Sequence, residues 1–266
     1  MPSQSLQNRV VVVIGGTTGL GLSGAAACAS AGAKVVVVGR NPESSVSALE
    51  QLPKGHAQAL VGDATDPGTA AKAIDLAISE FGRFDALYHV AGGSGRRFGD
   101  GPLHELTDEG VAKTIDLNLT SLIYSNRAAV QSFLNRGVQG AVLNMGSVLG
   151  YSPSPEYFVT HAYAATKSAV IGLTRSCAAY YAKHGVRINV VAPALVETPM
   201  AQRAANDEII LEFIKTKQPL EGGRIGIPED LDAAVVFFLS DQSRYVTGQT
   251  LAVDGGWTVS EGQVPR

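Results

Sequence analysis

The chain has 266 residues, 45% hydrophobic and 17% charged, with a formal net charge of −3 and a pI near 6.0, a balance that offers no basic field to nucleic acid. That length lets one core bury roughly 70–75% of the extended surface. Cys28 and Cys177 are too few for a disulfide framework, the start does not read as a signal peptide, and no run reaches the ~20 apolar residues of a membrane span, so the expectation is a cytoplasmic small-molecule protein with no membrane or nucleic-acid partner and no metal.

Short β-branched runs alternate with Ala-rich segments, the pattern of an α/β fold whose parallel sheet is covered by helices on both faces. In chain order the strands are expected at about 10–14, 35–38, 57–61, 86–90, 141–145, 187–192 and 250–253. The strongest helices are expected at about 20–31, 67–82, 108–136, 161–184 and 228–240, with Pro67 and Pro228 as first-turn prolines. No repeat, linker or shift of composition marks a second domain.

Between the first strand and first helix lies Ile14-Gly15-Gly16-Thr17-Thr18-Gly19-Leu20-Gly21. Strand, glycine turn and helix in that order make a phosphate site. Glycines let the backbone approach a pyrophosphate, and the helix start presents N–H groups and the positive end of its dipole. A dinucleotide is the expected ligand; the alternative is a tight turn with no ligand. Far downstream, Tyr163-Ala164-Ala165-Thr166-Lys167 places a phenol and an amine one helical turn apart. A protonated Lys beside a phenol stabilises the phenolate, which suits proton exchange with an alcohol or ketone oxygen.

With these two motifs the chain resembles the short-chain dehydrogenase/reductase family, and the resemblance runs essentially end to end. It includes Asn118 in Asp116-Leu117-Asn118-Leu119, Ser147 in Asn144-Met145-Gly146-Ser147, and Asn189-Val190-Val191-Ala192-Pro193. It continues through Gly223-Arg224-Ile225-Gly226-Ile227-Pro228-Glu229-Asp230, Thr247-Gly248-Gln249 and Val253-Asp254-Gly255-Gly256. The resemblance implies one doubly wound Rossmann domain over residues 1–266, with strand order 3-2-1-4-5-6-7 and a mobile substrate-covering segment at about 195–225. It implies Tyr163 as acid/base, Lys167 lowering the Tyr163 pKa and holding the nicotinamide ribose, Ser147 holding the reacting oxygen, and Asn118 anchoring a proton-relay water. Cofactor contacts would come from Gly15, Thr17, Thr18, Gly19, Leu20 and Gly21, then Asp63 and Ala64 at the adenine, Ala91 and Gly92 in the turn after the fourth strand, and Pro193, Val196 and Thr198 near the nicotinamide. Asp63 reads alternatively as an N-cap or Asx turn. A homotetramer, with a dimer as fallback, is implied through the helices at about 108–136 and 161–184.

The end of the second strand bears on cofactor choice, since residues there face the adenosine ribose. An acidic residue suits the 2′-hydroxyl of NAD(H). Here Gly39 is followed by Arg40 and Asn41, and a guanidinium can pair with a 2′-phosphate, so NADP(H) is expected over NAD(H). Alternatively Arg40 lies along the adenine without discriminating.

Three departures from the family pattern stand out, and one arginine pair invites a separate reading. His89-Val90-Ala91-Gly92 replaces Asn-Asn-Ala-Gly, and His89 reads as a structural rather than a titrating histidine. Ala194 follows Pro193 where Gly is usual, a costly exchange if φ must be positive. The Ser147–Tyr163 connection is long, with prolines and aromatics in Tyr151–Phe158 that suggest a stiffened rim; Tyr157 is a rival acid/base followed one turn later by His161, not Lys. Arg96-Arg97 reads either as a clamp for an acidic substrate or as solvated surface charge. The leading expectation is an oxidoreductase of carbonyls or secondary alcohols. The rival is a cofactor-binding sensor or structural relative without turnover, and carbon–carbon double-bond reduction is a weaker third.

Overall fold

Alternation of side chains along each strand divides the apolar residues between two faces. A computed structural model describes residues 5–264 and shows the result. Its elements run β1 (Val10–Ile14), α1 (Gly19–Ser30), β2 (Lys34–Gly39), α2 (Pro42–Gln51), β3 (Ala57–Val61), α3 (Thr69–Phe81) and β4 (Ala86–His89). There follow α4 (Asp108–Ile115), α5 (Ser121–Arg136), β5 (Gly140–Met145), α6 (His161–Tyr181), β6 (Val186–Pro193), α7 (Gln202–Ala205), α8 (Glu208–Lys217), α9 (Asp232–Leu239) and β7 (Thr250–Val253). Val11, Val13, Val35 and Val37 enter the core under α1 and α9, whereas Val10, Val12, Ile14, Val36 and Val38 enter the core under α3 and α5. A further apolar cluster, with Ile210, Phe213, Ile214 and Trp257, lies beneath α7 and α8.

All seven strands pair in parallel in the order 3-2-1-4-5-6-7, as expected. The order reverses between β1 and β4, where Ile14 lies opposite His89. Such a reversal splays the loops at the strand ends in opposite directions and opens a crevice there. The glycine turn after β1 and the His89–Gly92 turn after β4 face each other across it. Their backbones are joined where the Ile14 carbonyl accepts the Val90 and Ala91 N–H groups, at 2.8 and 2.9 Å.

Four local features differ from the sequence expectation. The segment 108–136 is not one helix: α4 and α5 are separated by a π-helical turn, Asp116–Thr120. The Asn118 side chain donates to the Thr114 carbonyl at 2.9 Å, entering the backbone ladder, which is one known cause of such a turn. Pro67 precedes α3 rather than starting it, because Asp66 accepts from Gly68 N and closes a separate turn. Pro228 opens a 3₁₀ turn that runs into α9. Helix α2 went unnamed among the expected elements, although Asn41 accepts from Glu43 N and Ser44 N and Pro42 occupies the first helical position.

A buried amide network fixes the end of β5. Asn144 and Asn126 of α5 exchange hydrogen bonds at 2.8 and 3.0 Å, and Asn144 also donates to Thr174 of α6 at 3.0 Å. Truncating Asn144 orphans an amide in the core, so Asn144→Ala is expected to lower unfolding stability by about 2–3 kcal/mol, measured by urea denaturation. A loss below about 0.5 kcal/mol would show that the network does not hold the helices to the strand.

Candidate active site

The site gathers at the carboxyl ends of β1, β4, β5 and β6. Gly15 has φ +85° and sits so close to Ala91 that an added Cβ would meet Ala91 N at 2.6 Å. Gly21 lies against the Gly15 carbonyl, where a Cβ would come within 2.0 Å. Neither position accepts a side chain without moving the turn. Thr18 precedes α1 without capping it through its side chain, which leaves the first-turn N–H groups free of any side-chain acceptor. Thr17 is buried against Gly39, and its hydroxyl accepts from Ser44. Leu20 packs onto the core beneath the turn. Open backbone, a free helix start and glycines in close contact are what a pyrophosphate needs.

At the end of β2, Arg40 is exposed and its Nη1 stands 3.8 Å from Asp63 Oδ2. Asn41 is the α2 cap, so its side-chain oxygen is already engaged. Asp63 accepts from Thr65 N and Oγ1 through Oδ1, forming an Asx turn and leaving Oδ2 towards Arg40. Burial raises the Asp63 pKa, but the Thr65 hydrogen bonds and the Arg40 and Lys113 charges outweigh it and hold the carboxyl below its usual value. Ala64 packs onto the core beside α3.

Gly92 lies against Asn118, and Gly93 exchanges hydrogen bonds with the Asn118 amide at 3.1 and 2.9 Å. With Thr114 as third partner, the Asn118 side chain is committed to backbone. His89 is buried; the carbonyl of Ala91 must accept, so Nε2 carries the proton and donates at 3.1 Å, leaving Nδ1 without a partner among the described residues. Burial, and secondarily the Lys167 charge, push His89 down to about 3 against the opposing pull of the Ala91 hydrogen bond.

Ser147 follows β5, and its Oγ accepts from Leu149 N at 3.2 Å. Its hydroxyl faces that of Tyr163 closely enough to favour the phenolate. Lys167 is 3% exposed and donates from Nζ to the Met145 carbonyl at 2.9 Å, with Nζ 5.5 Å from the Tyr163 ring centroid. Burial pushes Tyr163 up to about 12, the neighbouring Ser147 hydroxyl pulling the other way. Burial alone brings Lys167 down to about 8. The expected lowering of the Tyr163 pKa by Lys167 is therefore not what this geometry gives: the ammonium is drawn to a strand carbonyl, and desolvation of the phenolate dominates.

Pro193 ends β6, and Ala194 has no positive φ, so the missing glycine costs nothing here. Val196 bridges to Gly226, and Thr198 and Pro199 reach Gly19, laying this segment over the glycine turn. Tyr157 packs against Phe213 at 5.1 Å between ring centroids, and the Tyr151–Phe158 rim is pinned by Trp257, whose indole donates to the Ser152 carbonyl at 3.1 Å.

Sequence reasoning missed Asp100. It is buried and caps α6 from outside the helix, accepting from Ala162 N at 3.1 Å and Tyr163 N at 2.9 Å. No local pattern marks it, because the helix it caps begins 62 positions away. It also missed Arg203 of α7, which has no signal in the sequence of the covering segment.

The sequence profile of the family described as Enoyl-(Acyl carrier protein) reductase matches residues 15–258. The chain is 34% identical to cis-4-hydroxycyclohexanecarboxylate dehydrogenase of Sinomonas cyclohexanicum, covering 96% of this chain and 98% of the relative. It is 31% identical to 2-dehydro-3-deoxy-D-gluconate 5-dehydrogenase of Dickeya dadantii, over 95% and 96% of the two chains. A solved short-chain type dehydrogenase/reductase from Mycobacterium ulcerans superposes with a TM-score of 0.87 at 30% identity, over 97% and 92%. The chain belongs to the short-chain dehydrogenase/reductase family. Membership implies a nicotinamide dinucleotide cofactor, which the open glycine turn is shaped to receive. No helix among the described residues is long and apolar enough to cross a membrane.

The pKa of His89 has a stability consequence. Between its ordinary 6.5 and about 3 the folded state binds fewer protons at His89 than the unfolded chain. Stability at this position is therefore complete above that window and lost as pH falls through it. His89→Asn is expected to flatten the acid-side decline by up to about 1.4 kcal/mol per pH unit, measured by urea unfolding at stepped pH. Equal slopes in the two proteins would mean that His89 is not buried neutral.

Proposed function

We propose that the protein is an NADP(H)-dependent oxidoreductase interconverting a carbonyl and a secondary alcohol, with Tyr163 as general acid/base. The observation that carries this reading is the Ser147–Tyr163 hydroxyl pair with buried Lys167 one turn on. The cofactor, when bound, supplies or accepts the hydride. Ser147 and Tyr163 would hold the reacting oxygen between two hydroxyls, and Tyr163 would give it a proton in reduction or take one in oxidation. Lys167, easily deprotonated at its reduced pKa, would restore that proton. Asn118, bound to Gly93, would hold the β4 turn against the cofactor.

Reduction of a carbon–carbon double bond, which the family description names, has no need of two hydroxyls converging on a carbonyl oxygen; their presence favours the carbonyl reading. A non-catalytic binding protein has no need of a half-buried Tyr one turn from a buried Lys. Arg40, exposed at the ribose end with only a long contact to Asp63, supports a 2′-phosphate partner. Assembly through α4–α5 and α6 into a homotetramer belongs to the same reading.

Tyr163→Phe is expected to lower ketone turnover by about three orders of magnitude while NADPH affinity stays within about threefold, from steady-state rates and fluorescence titration. Turnover that survives the change would sink the assignment. Arg40→Asp is expected to shift the NADPH/NADH ratio of kcat/KM towards NADH by about 10- to 100-fold, and an unchanged ratio would remove the case for NADP(H).

A further inference from the structure

Three segments, following β4, β5 and β6, meet at the Tyr157 carbonyl. Arg96 in the first donates from Nη2 to the Tyr157 carbonyl at 3.4 Å, and Arg203 in the third donates from Nη2 to the same oxygen at 3.1 Å. Tyr157 belongs to the second loop, between Ser147 and Tyr163. Two cations thus share one neutral acceptor, their nitrogens closer together than the ~8 Å Debye length of physiological salt. One carbonyl satisfies one N–H of each five-donor fork and none of the charge.

Among the described residues no carboxylate pairs directly with either guanidinium. Asp100 faces Arg96, but both of its oxygens are bound to N–H groups at the start of α6. Glu156 and Asp207 approach the Tyr157 side chain rather than its carbonyl, and Asp207 is the cap of α8. Neither Arg96 nor Arg203 is among the four arginines that form ion pairs in the described residues, Arg9, Arg40, Arg83 and Arg224; six others are likewise unpaired. Partial burial and then the Arg203 charge hold the Arg96 guanidinium below its usual value, against the opposing pull of Asp100. Arg97, the other half of the pair considered from sequence, lies over the Phe98 ring at 4.6 Å and takes no part.

We propose that Arg96 and Arg203 form a clamp for an oxyanion, most simply a carboxylate, carried by the substrate at the end remote from its reacting carbonyl. The proposal rests on the carbonyl-reductase reading of the Ser147–Tyr163 site. Its geometry follows from the attachments of the loops. Asp100 ties the Arg96 loop to the first turn of the helix bearing Tyr163, and Thr198 seats the Arg203 segment on the glycine turn. A substrate held at both ends would span from the hydroxyl pair to the rim, its charge outside and its carbonyl within. Planar forks suit a carboxylate because two parallel N–H groups match its two oxygens.

The test uses straight-chain methyl-ketone acids of five, six and seven carbons and their methyl esters, with the wild-type enzyme and an Arg96→Gln/Arg203→Gln double variant. Gln keeps a neutral donor for the Tyr157 carbonyl and removes the charge, so loop bracing is separated from anion attraction. The wild type is expected to prefer at least one acid over its ester by about tenfold or more in kcat/KM, expressed in KM, and the double variant to bring that ratio to about one. Esters matching their acids in the wild type, or a preference that survives in the double variant, would overturn the clamp. Saturation-transfer NMR of the same pairs, with NADP⁺ present and no turnover, reads binding independently. An acid signal lost in the double variant supports the clamp even if no ketone is reduced, while equal acid and ester signals overturn it. Failure to reduce any ketone, acid or ester, counts against the carbonyl-reductase reading alone.

Discussion

The end of β5 is where this protein's chemistry is anchored, because a polar side chain in a doubly covered parallel strand must find its partners inside the core. Asn144 finds them on two helices at once, Asn126 of α5 and Thr174 of α6. A reciprocal amide pair has one good geometry, so it sets the rotation of both helices as well as their distance. One residue on, the Met145 carbonyl receives Lys167 from α6, and beyond Gly146 the Ser147 hydroxyl meets Tyr163 from the same helix. The strand end thus gathers a structural amide, a backbone acceptor and the Ser147 hydroxyl within a few residues. The polar core serves specificity here: an apolar β5 would pack as well but would leave α6 free to turn.

Around that anchor the site is dry, and burial governs its electrostatics. The phenol and the amine are both pushed towards their neutral forms, Tyr163 to about 12 and Lys167 to about 8. Neither charge is welcome until a partner compensates it. The same dryness explains His89. Held neutral and donating to Ala91, it braces by one hydrogen bond the turn that the family usually braces with asparagine. Asp100 extends the principle to α6, whose first N–H groups are satisfied by a carboxylate borrowed from the loop after β4.

The strands could be read from the chain to within one residue at most ends, since five of the seven are short β-branched or apolar runs between polar turns. The glycine turn was equally plain, being local: Gly15 and Gly21 are needed by contacts within the same strand–turn–helix unit or across one strand pair. Helix α2 falls where strands in parallel require a crossover, and Asn41-Pro42 is an ordinary cap and first turn for it. The π turn at Asp116–Thr120 escaped because apolar periodicity runs straight through it; only the choice of acceptor by one amide breaks the ladder.

The sequence by itself determined the architecture and the strand, glycine turn and helix unit, and it singled out Ser147, Tyr163 and Lys167 as candidates, because each rests on spacing along one chain segment or on a family motif. Tertiary structure alone decided where Lys167 sends its proton-bearing nitrogen, which carboxylate caps the Tyr163 helix, and which arginine stands beside Arg96. Those choices join residues 22, 62 and, through a shared carbonyl, 61 and 46 positions apart. At such separations no periodicity along the chain relates the partners; the sheet order and the packing of loops above it bring them together.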